Sequence, residues 1–419
     1  MGRHGLLGAV LFLAGASAHA DWQWQYGGTL QGGSQLQQYN RQDLRVDDGE
    51  RRAREETAAL RMELNGRSRA MQLKLRYELL GEYGDAVADR DSLTDRGRTL
   101  FEPSRIIPED DTRLMRLRHT LSEGNQHRAV QRLDRASVST GTLTFSAAIG
   151  RQVHNWGNGR VFQVHDWLNP GSPLAMERDY RSGEDMLYGE YLTPDGGELQ
   201  MAAVARREEA TGDVTHDAAT YAVKREWMTP DLEFRLLAAR HYGQASGGFG
   251  VAGDWQGAVW RLDGAVDRTR DGRTRASAVA NMDRFWSCAG RTCYGFVEYH
   301  RNGLGVGDGD YSELNESLAR RLDNKQLFSP GRDYGAVGLG IEWFDHLDAR
   351  FESLSNLNDG STFNRLWLEY EPRQNLRLSG GLGMSSGGRD DEFSGVPLGQ
   401  GDAGQGYSEN VFLGVVGAF

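Results

Sequence analysis

The chain has 419 residues, a net charge of -11, a mean hydropathy of -0.60 and two cysteines. Nothing after its first twenty residues is apolar for the roughly eighteen positions that a membrane-crossing helix needs, so a helical membrane protein is excluded. The acidic balance offers nucleic acid no footing, whereas a membrane β-barrel stays open because only alternate strand residues meet lipid.

Residues 1–20 read as a secretory signal peptide. Arg3 and His4 precede an apolar run from Leu6 to Gly15, and Ala18-His19-Ala20 has the small-x-small pattern of a cleavage site. The mature chain, residues 21–419, then reads as one domain. Its segments alternate apolar and polar residues and are separated by turn chemistry. In order, the strands are expected near 22–39, 56–65, 69–83, 129–139, 142–152, 184–193, 197–208, 216–228, 231–242, 247–254, 257–268, 273–287, 293–302, 333–344, 347–357, 362–372, 375–386 and 408–419. The glycine-rich tenth is the weakest, so about eighteen strands are expected, with sixteen as the alternative. The last strand ends on Phe419, with Val411, Leu413, Val415 and Gly417 on one face. A terminal aromatic on such a strand resembles the signal read by bacterial barrel-assembly machinery.

Connections after even-numbered strands are short and those after odd ones are longer on the whole, notably 40–55, 84–128, 153–183, 303–332 and 387–407. Outer-membrane barrels pair short periplasmic turns with long extracellular loops. The fold expected is therefore all-β: a single transmembrane, antiparallel, up-and-down barrel, closed by first-to-last pairing because lipid tolerates no open edge. Both termini then face the periplasm of a Gram-negative outer membrane. Trp22, Trp24 and Tyr26 would anchor the first strand at the interface. Lipid, lipopolysaccharide and the assembly machinery are the expected partners, with a periplasmic export component as a further one.

Cys288 and Cys293 bracket the turn CAGRTC and are expected to clip it as a disulfide in an oxidising compartment. Two cysteines make a poor metal site, and no metal or other cofactor is expected. Only three of the 48 lysines and arginines are lysine: Lys74, Lys224 and Lys325.

The polar face of the strands carries both signs. Its basic members are Arg61, Lys74, Arg76, Lys224, Arg235, Arg261, Arg275, Arg350, Arg365 and Arg377. Its acidic members include Glu63, Glu78, Glu190, Glu226, Glu233, Asp263, Asp267, Asp283, Glu298, Glu342, Asp348, Glu352, Glu369 and Glu371. Such a lumen is either a hydrated path with Arg as anion contacts, or an ion-pair lattice bracing the wall.

One stretch is not repetitive. Between Arg132 and Pro170, two strands meet at Thr140-Gly141 and run into Gly150-Arg151-Gln152 and then Trp156-Gly157-Asn158-Gly159-Arg160. Over these roughly 40 residues the sequence resembles outer-membrane barrels of the alginate-export type and related proteobacterial barrels. That resemblance implies an eighteen-stranded channel for an anionic polysaccharide. It makes Arg151 and Arg160 pore-mouth contacts, with Arg76, Arg235 and Arg261 below. The chain departs from the type in being shorter and in carrying acidic partners throughout.

The reading that follows is a channel for a polar, anionic solute or polysaccharide, with no chemistry of its own. A structural sleeve in an export or electron-transfer assembly is the alternative. A hydrolase is the third reading. His154 and His300 lie near strand ends, but no serine partner accompanies them, and His165-Asp166 neighbours would point to opposite faces of a strand.

Overall fold

The computed structural model describes residues 22–40, 43, 45–46, 51–95, 107–175, 181–312, 314–397, 404–406 and 409–419. The expected signal peptide lies outside the described residues.

Eighteen strands form one closed antiparallel barrel. They are β1 Gln23–Gln38, β2 Arg52–Arg67, β3 Met71–Tyr83, β4 His127–Gly141, β5 Phe145–Gln152 and β6 Glu184–Leu192. Next come β7 Glu198–Val204, β8 Thr220–Met228, β9 Leu232–His241, β10 Gln244–Trp255, β11 Ala258–Arg268 and β12 Thr274–Cys288. The ring is completed by β13 Arg291–Arg301, β14 Asp333–Phe344, β15 Leu347–Asn356, β16 Thr362–Arg373, β17 Leu376–Ser386 and β18 Glu409–Ala418. Each strand pairs with its sequence neighbours, and β18 pairs with both β17 and β1. Three short helices, α1 Asp85–Asp95, α2 Glu316–Asp323 and α3 Glu392–Gly395, lie in long connections at one end.

Closure continues one residue beyond β18. The Phe419 amide donates to the Gly28 carbonyl and the Gly28 amide to the Phe419 carbonyl, each at 3.0 Å. A Cβ on Gly28 would stand 2.5 Å from the Phe419 ring, so glycine here makes room for the terminal aromatic.

The outer face is apolar. Leu30, Ile149, Leu187, Leu236, Leu262, Val297, Leu339 and Leu413 project from it as exposed side chains. Toward the short-turn end this band gives way to Trp24, Tyr26, Phe145, Tyr191, Trp255, Trp286, Trp343, Phe344, Tyr370 and Phe419. An apolar belt with an aromatic girdle is what a strand-built wall needs where hydrocarbon meets headgroups. The Cys288–Cys293 disulfide joins the two sides of the β12–β13 turn at this same end.

Two local features differ from expectation. A short strand, Arg118–Gly124, arises inside the expected 84–128 loop and pairs with the long-loop half of β4, above the point where β5 begins its own pairing with β4. The weak tenth strand is a full member of the wall, at twelve residues. Its inward face is Ser246, Gly248, Gly250 and Ala252 because another segment packs there: a Cβ on Gly248 would lie 2.8 Å from the His165 ring.

Candidate functional site

The bore is half filled by the connection between β5 and β6, whose described parts are 153–175 and 181–183. It folds inward along the wall from β6 to β14. Trp156, Trp167 and Leu168 pack on inward Met186, Tyr188, Ala202, Ala222, Leu237 and Ala265. Further along, Val161 and Phe162 pack on Val279, Phe296, Tyr334, Ala336 and Leu354. A loop tip inside a barrel carries amides that must find acceptors. The wall supplies them as carboxylates. Glu298 accepts from the backbone amides of Arg160, Val161 and Phe162, at 2.5, 3.0 and 2.8 Å. Asp263 accepts from the Asn158 amide at 2.9 Å. In return the Arg235 guanidinium donates to the Trp156 carbonyl at 3.3 Å.

This arrangement sorts the mixed charges of the polar face. Arg235 is buried between Asp263 at 3.4 Å and Glu233 at 3.3 Å. Arg261 donates to Asp283, which also holds Arg160 at 2.5 Å. Glu78 is fully buried, with Arg61 at 3.3 Å and Arg132 at 2.9 Å. Glu342 stands inward beside Asp348 in the β14–β15 register, near the short-turn end.

Arg151 does not face open space. Gly150 adopts a φ of +121°, and Arg151 turns into a buried knot. It grips Asp185 at 2.9 and 3.0 Å and Asp110 at 2.8 Å, and it also donates to the Met115 carbonyl. Asp110 in turn holds Arg113 at 2.6 Å, and Glu184 links Arg113 to Arg206. Arg206 donates to the Leu168 carbonyl at 3.0 Å. The Gly-Arg-Gln strand end thus ties the 107–118 segment and the inner loop to the rim. The pore-mouth role expected of Arg151 is replaced by a structural one, because every donor direction of its guanidinium points at a protein oxygen.

The open half of the bore runs along β15–β18 and β1–β3. A cavity of about 930 Å³ extends from Gln25 to Gln35 of β1, and a second of about 520 Å³ lies at the short-turn end. The two share Gln25, Glu63, Asn65 and Arg76 and so are contiguous. Ten residues of strand at about 3.3 Å each make a path of about 33 Å, the scale of an apolar bilayer core. The lining holds nine basic residues, Arg61, Arg67, Lys74, Arg76, Arg135, Arg160, Arg350, Arg365 and Arg377, against four acidic ones, Glu55, Glu63, Glu352 and Glu369. Most of these cations are matched by carboxylates just behind the lining, Arg61 by Glu78, Arg135 by Asp134 and Arg160 by Asp283. Arg76 pairs with Glu63 at 2.5 Å, Arg365 with Glu352 at 2.6 Å, and Arg377 with Glu371 at 3.1 Å. Arg350 is only loosely paired, at 3.9 Å from Asp348, and is largely exposed. Lys74 is exposed and has no carboxylate partner among the described residues.

Of the residues singled out from sequence, Arg61, Glu63, Lys74, Arg76, Arg160, Arg350, Glu352 and Arg377 meet at this space. Arg151, Arg235, Arg261, Glu78, Glu233, Asp263 and Glu342 do not line it. Several wall residues escaped the sequence reading, Glu55, Arg67 and Arg135 among them, and so did one aromatic. Trp367 stands inward between Arg365 and Glu369, against Phe412 at 4.8 Å. Its signal was present: an aromatic side chain on the polar face of β16, whose lipid face is Leu366, Leu368 and Tyr370. The two histidines weighed as acid–base groups are held in packing. His154 stacks on Tyr188 at 3.6 Å, and His300 on Phe162 at 4.6 Å.

No family model matches this sequence, and neither does any curated protein sequence. Solved structures match in fold. The Escherichia coli protein Wzi, an outer-membrane, carbohydrate-binding β-barrel involved in group 1 capsule assembly, aligns at a TM-score of 0.52 and 9% identity, over 98% of this chain and 87% of its own. OccAB1 of Acinetobacter baumannii aligns at 0.54 and 7%, over 95% and 96%. A BenF-like porin of Pseudomonas fluorescens aligns at 0.52 and 10%, over 95% and 98%. At these identities the likeness is one of fold: the closed barrel of outer-membrane proteins.

Proposed function

We propose that the protein is an outer-membrane channel, delivered by its signal peptide, with both termini in the periplasm, that passes a polar, anionic solute along the β15–β3 side of its bore. The observation that carries this reading is the pair of cations left exposed in the open space. Carboxylates on the β6–β14 side are consumed in seating the inner loop. The space left open keeps two cations outside the ion-pair lattice, the unpaired Lys74 and the loosely held Arg350. Water-filled space with fixed cations on its wall concentrates anions and lowers their barrier to entry. The fold shared with porins supports the same reading. The inner loop occupies volume that a threaded partner chain would need, which favours a channel over a sleeve. The packing around His154 and His300 supplies no nucleophile, which favours transport over hydrolysis.

A second reading, a saccharide as the solute, is favoured by one feature. Between the two charged banks, the wall of β17, β18 and β1 includes Ser379, Gly414, Gln25, Thr29, Gln31 and Gln35, with Trp367 beside it. Amides that donate and accept suit hydroxyls, and an indole face suits a sugar ring. Wzi, a carbohydrate-binding barrel, shares the fold. The test is block of single-channel current in planar bilayers. Acidic oligosaccharides that interrupt the wild-type current, with dwell times shortened about tenfold in Trp367→Ala, support the saccharide. Block by small carboxylates alone, unaffected by Trp367→Ala, leaves the channel reading and removes the sugar.

A further inference from the structure

At the long-loop end, the segment 387–396, which includes α3, folds back into the barrel mouth. Phe393 is fully buried and joins Phe363 and the inner loop's Phe162 in one apolar cluster. Its neighbour Glu392 is also fully buried, at 1% exposure. One carboxylate oxygen accepts from the Tyr334 hydroxyl of β14 and from the Asn356 amide at the end of β15, both at 2.6 Å. The other oxygen has no hydrogen-bond partner. On the far side of α3, the Asn40 amide, just beyond β1, donates to the Ser394 carbonyl. The segment therefore bridges from the tops of β14 and β15 to the top of β1. Between those points in the ring lie β16, β17 and β18, strands that line the open cavity.

Among the described residues, no cation contacts Glu392. Asp359, from the β15–β16 turn, accepts from the Glu392 amide at 2.9 Å and from the Tyr311 hydroxyl at 2.9 Å. Tyr311 comes from the 302–332 connection and also accepts from Asn356 at 2.5 Å. The Tyr334 oxygen takes its own donor from the Gly331 amide, at 2.5 Å. The segment itself adds Asp390 and Asp391, and its Arg389 lies 3.9 Å from Asp390. Arg332, next to the site in sequence, turns its guanidinium to the Gly305 carbonyl. Enclosure of this kind, beside a second carboxylate, favours the neutral acid over the ionised one despite the two donors on Oε2.

We propose that Glu392 is a proton-operated latch: protonated, it holds the 387–396 segment across the mouth over the open half of the bore, and ionised, it releases it. Burial pushes its carboxyl up from the usual 4.5 to about 8, with Asp359 adding to the rise. The sign follows from linkage. The docked form binds the proton more tightly than the released form, so docking weakens as pH rises. The loss begins near the free carboxyl's value and is complete near the docked one. Across that window the docked-to-released ratio falls about tenfold per pH unit, then levels off.

The experiment is hydrogen exchange of the 388–396 amides in the purified, detergent-folded barrel from pH 5 to 9.5, corrected for the intrinsic pH dependence of exchange. The expected result is protection that falls about tenfold per unit and flattens near pH 8 in the wild type. In Glu392→Gln, protection should stay high and independent of pH. A flat wild-type profile, or a Glu392→Gln profile that falls like the wild type, overturns the latch. Bilayer conductance measured in parallel separates the two readings. A folded barrel that conducts at no pH counts against the channel, while the exchange profile alone decides the latch.

Discussion

At the scale of single residues, two arginines that look alike in sequence have opposite roles. Arg151 and Arg350 both follow glycine or alanine in a strand, yet one is sealed and the other open. Replacing Arg151 by alanine leaves Asp185 buried without its cation and Asp110 with Arg113 alone, which costs about 3–5 kcal/mol for a broken buried pair. The Arg151→Ala barrel should unfold at clearly lower urea while keeping its ion preference. Arg350→Ala should do the reverse, with stability changed by less than about 0.5 kcal/mol and anion preference reduced. Urea unfolding and reversal potentials on the same two proteins check both halves. Gly28 offers a third test. Gly28→Val would set a side chain against the Phe419 ring and the Arg61 carbonyl, 2.7 Å from a Cβ at that position. Slower appearance of the heat-modifiable folded band is expected, and an unchanged rate would remove the terminal pair from the closing step.

At the scale of elements, the inner loop is the part that narrows the bore. Its tip hangs on Glu298, whose carboxylate accepts from three successive backbone amides. Glu298→Ala leaves those amides without acceptors, at a cost of about 1–3 kcal/mol for each stranded group. The loop should then leave the wall, and single-channel conductance should rise severalfold. An unchanged conductance would mean that the apolar packing of Phe162 and Trp156 holds the loop unaided. The strands themselves were legible in the sequence because side-chain direction alternates strictly with position and the short and long connections keep phase. β10 read weakly because its inward glycines and alanine serve the loop, not the strand. The Arg118–Gly124 strand was missed because it extends a hairpin inside a long connection, beyond the span where the outer face repeats. The sorting of lumen charges was not legible either. It depends on pairs such as Asn158 with Asp263 and Arg160 with Asp283, more than a hundred residues apart, which exist only once the loop has turned inward.

At the scale of the whole molecule, the barrel has two unlike halves. The wall from β6 to β14 is a braced half, where carboxylates, buried arginines and the inner loop satisfy one another. The wall from β15 through β3 is an open half, where the exposed Lys74 and the loosely held Arg350 stand beside paired charges of both signs and the strip beside Trp367 carries no charge of its own. The long-loop end closes over that open half through α3, and the short-turn end opens onto Lys74 and Arg76. On the reading proposed, the fixed charges exposed in the open half decide which ions cross. The central claim is therefore tested most directly by the reversal potential of the reconstituted wild-type barrel under a potassium chloride gradient. Chloride preference, weakened in Arg350→Ala and Lys74→Ala, is the result expected. Potassium preference, or no preference that either substitution changes, would contradict it.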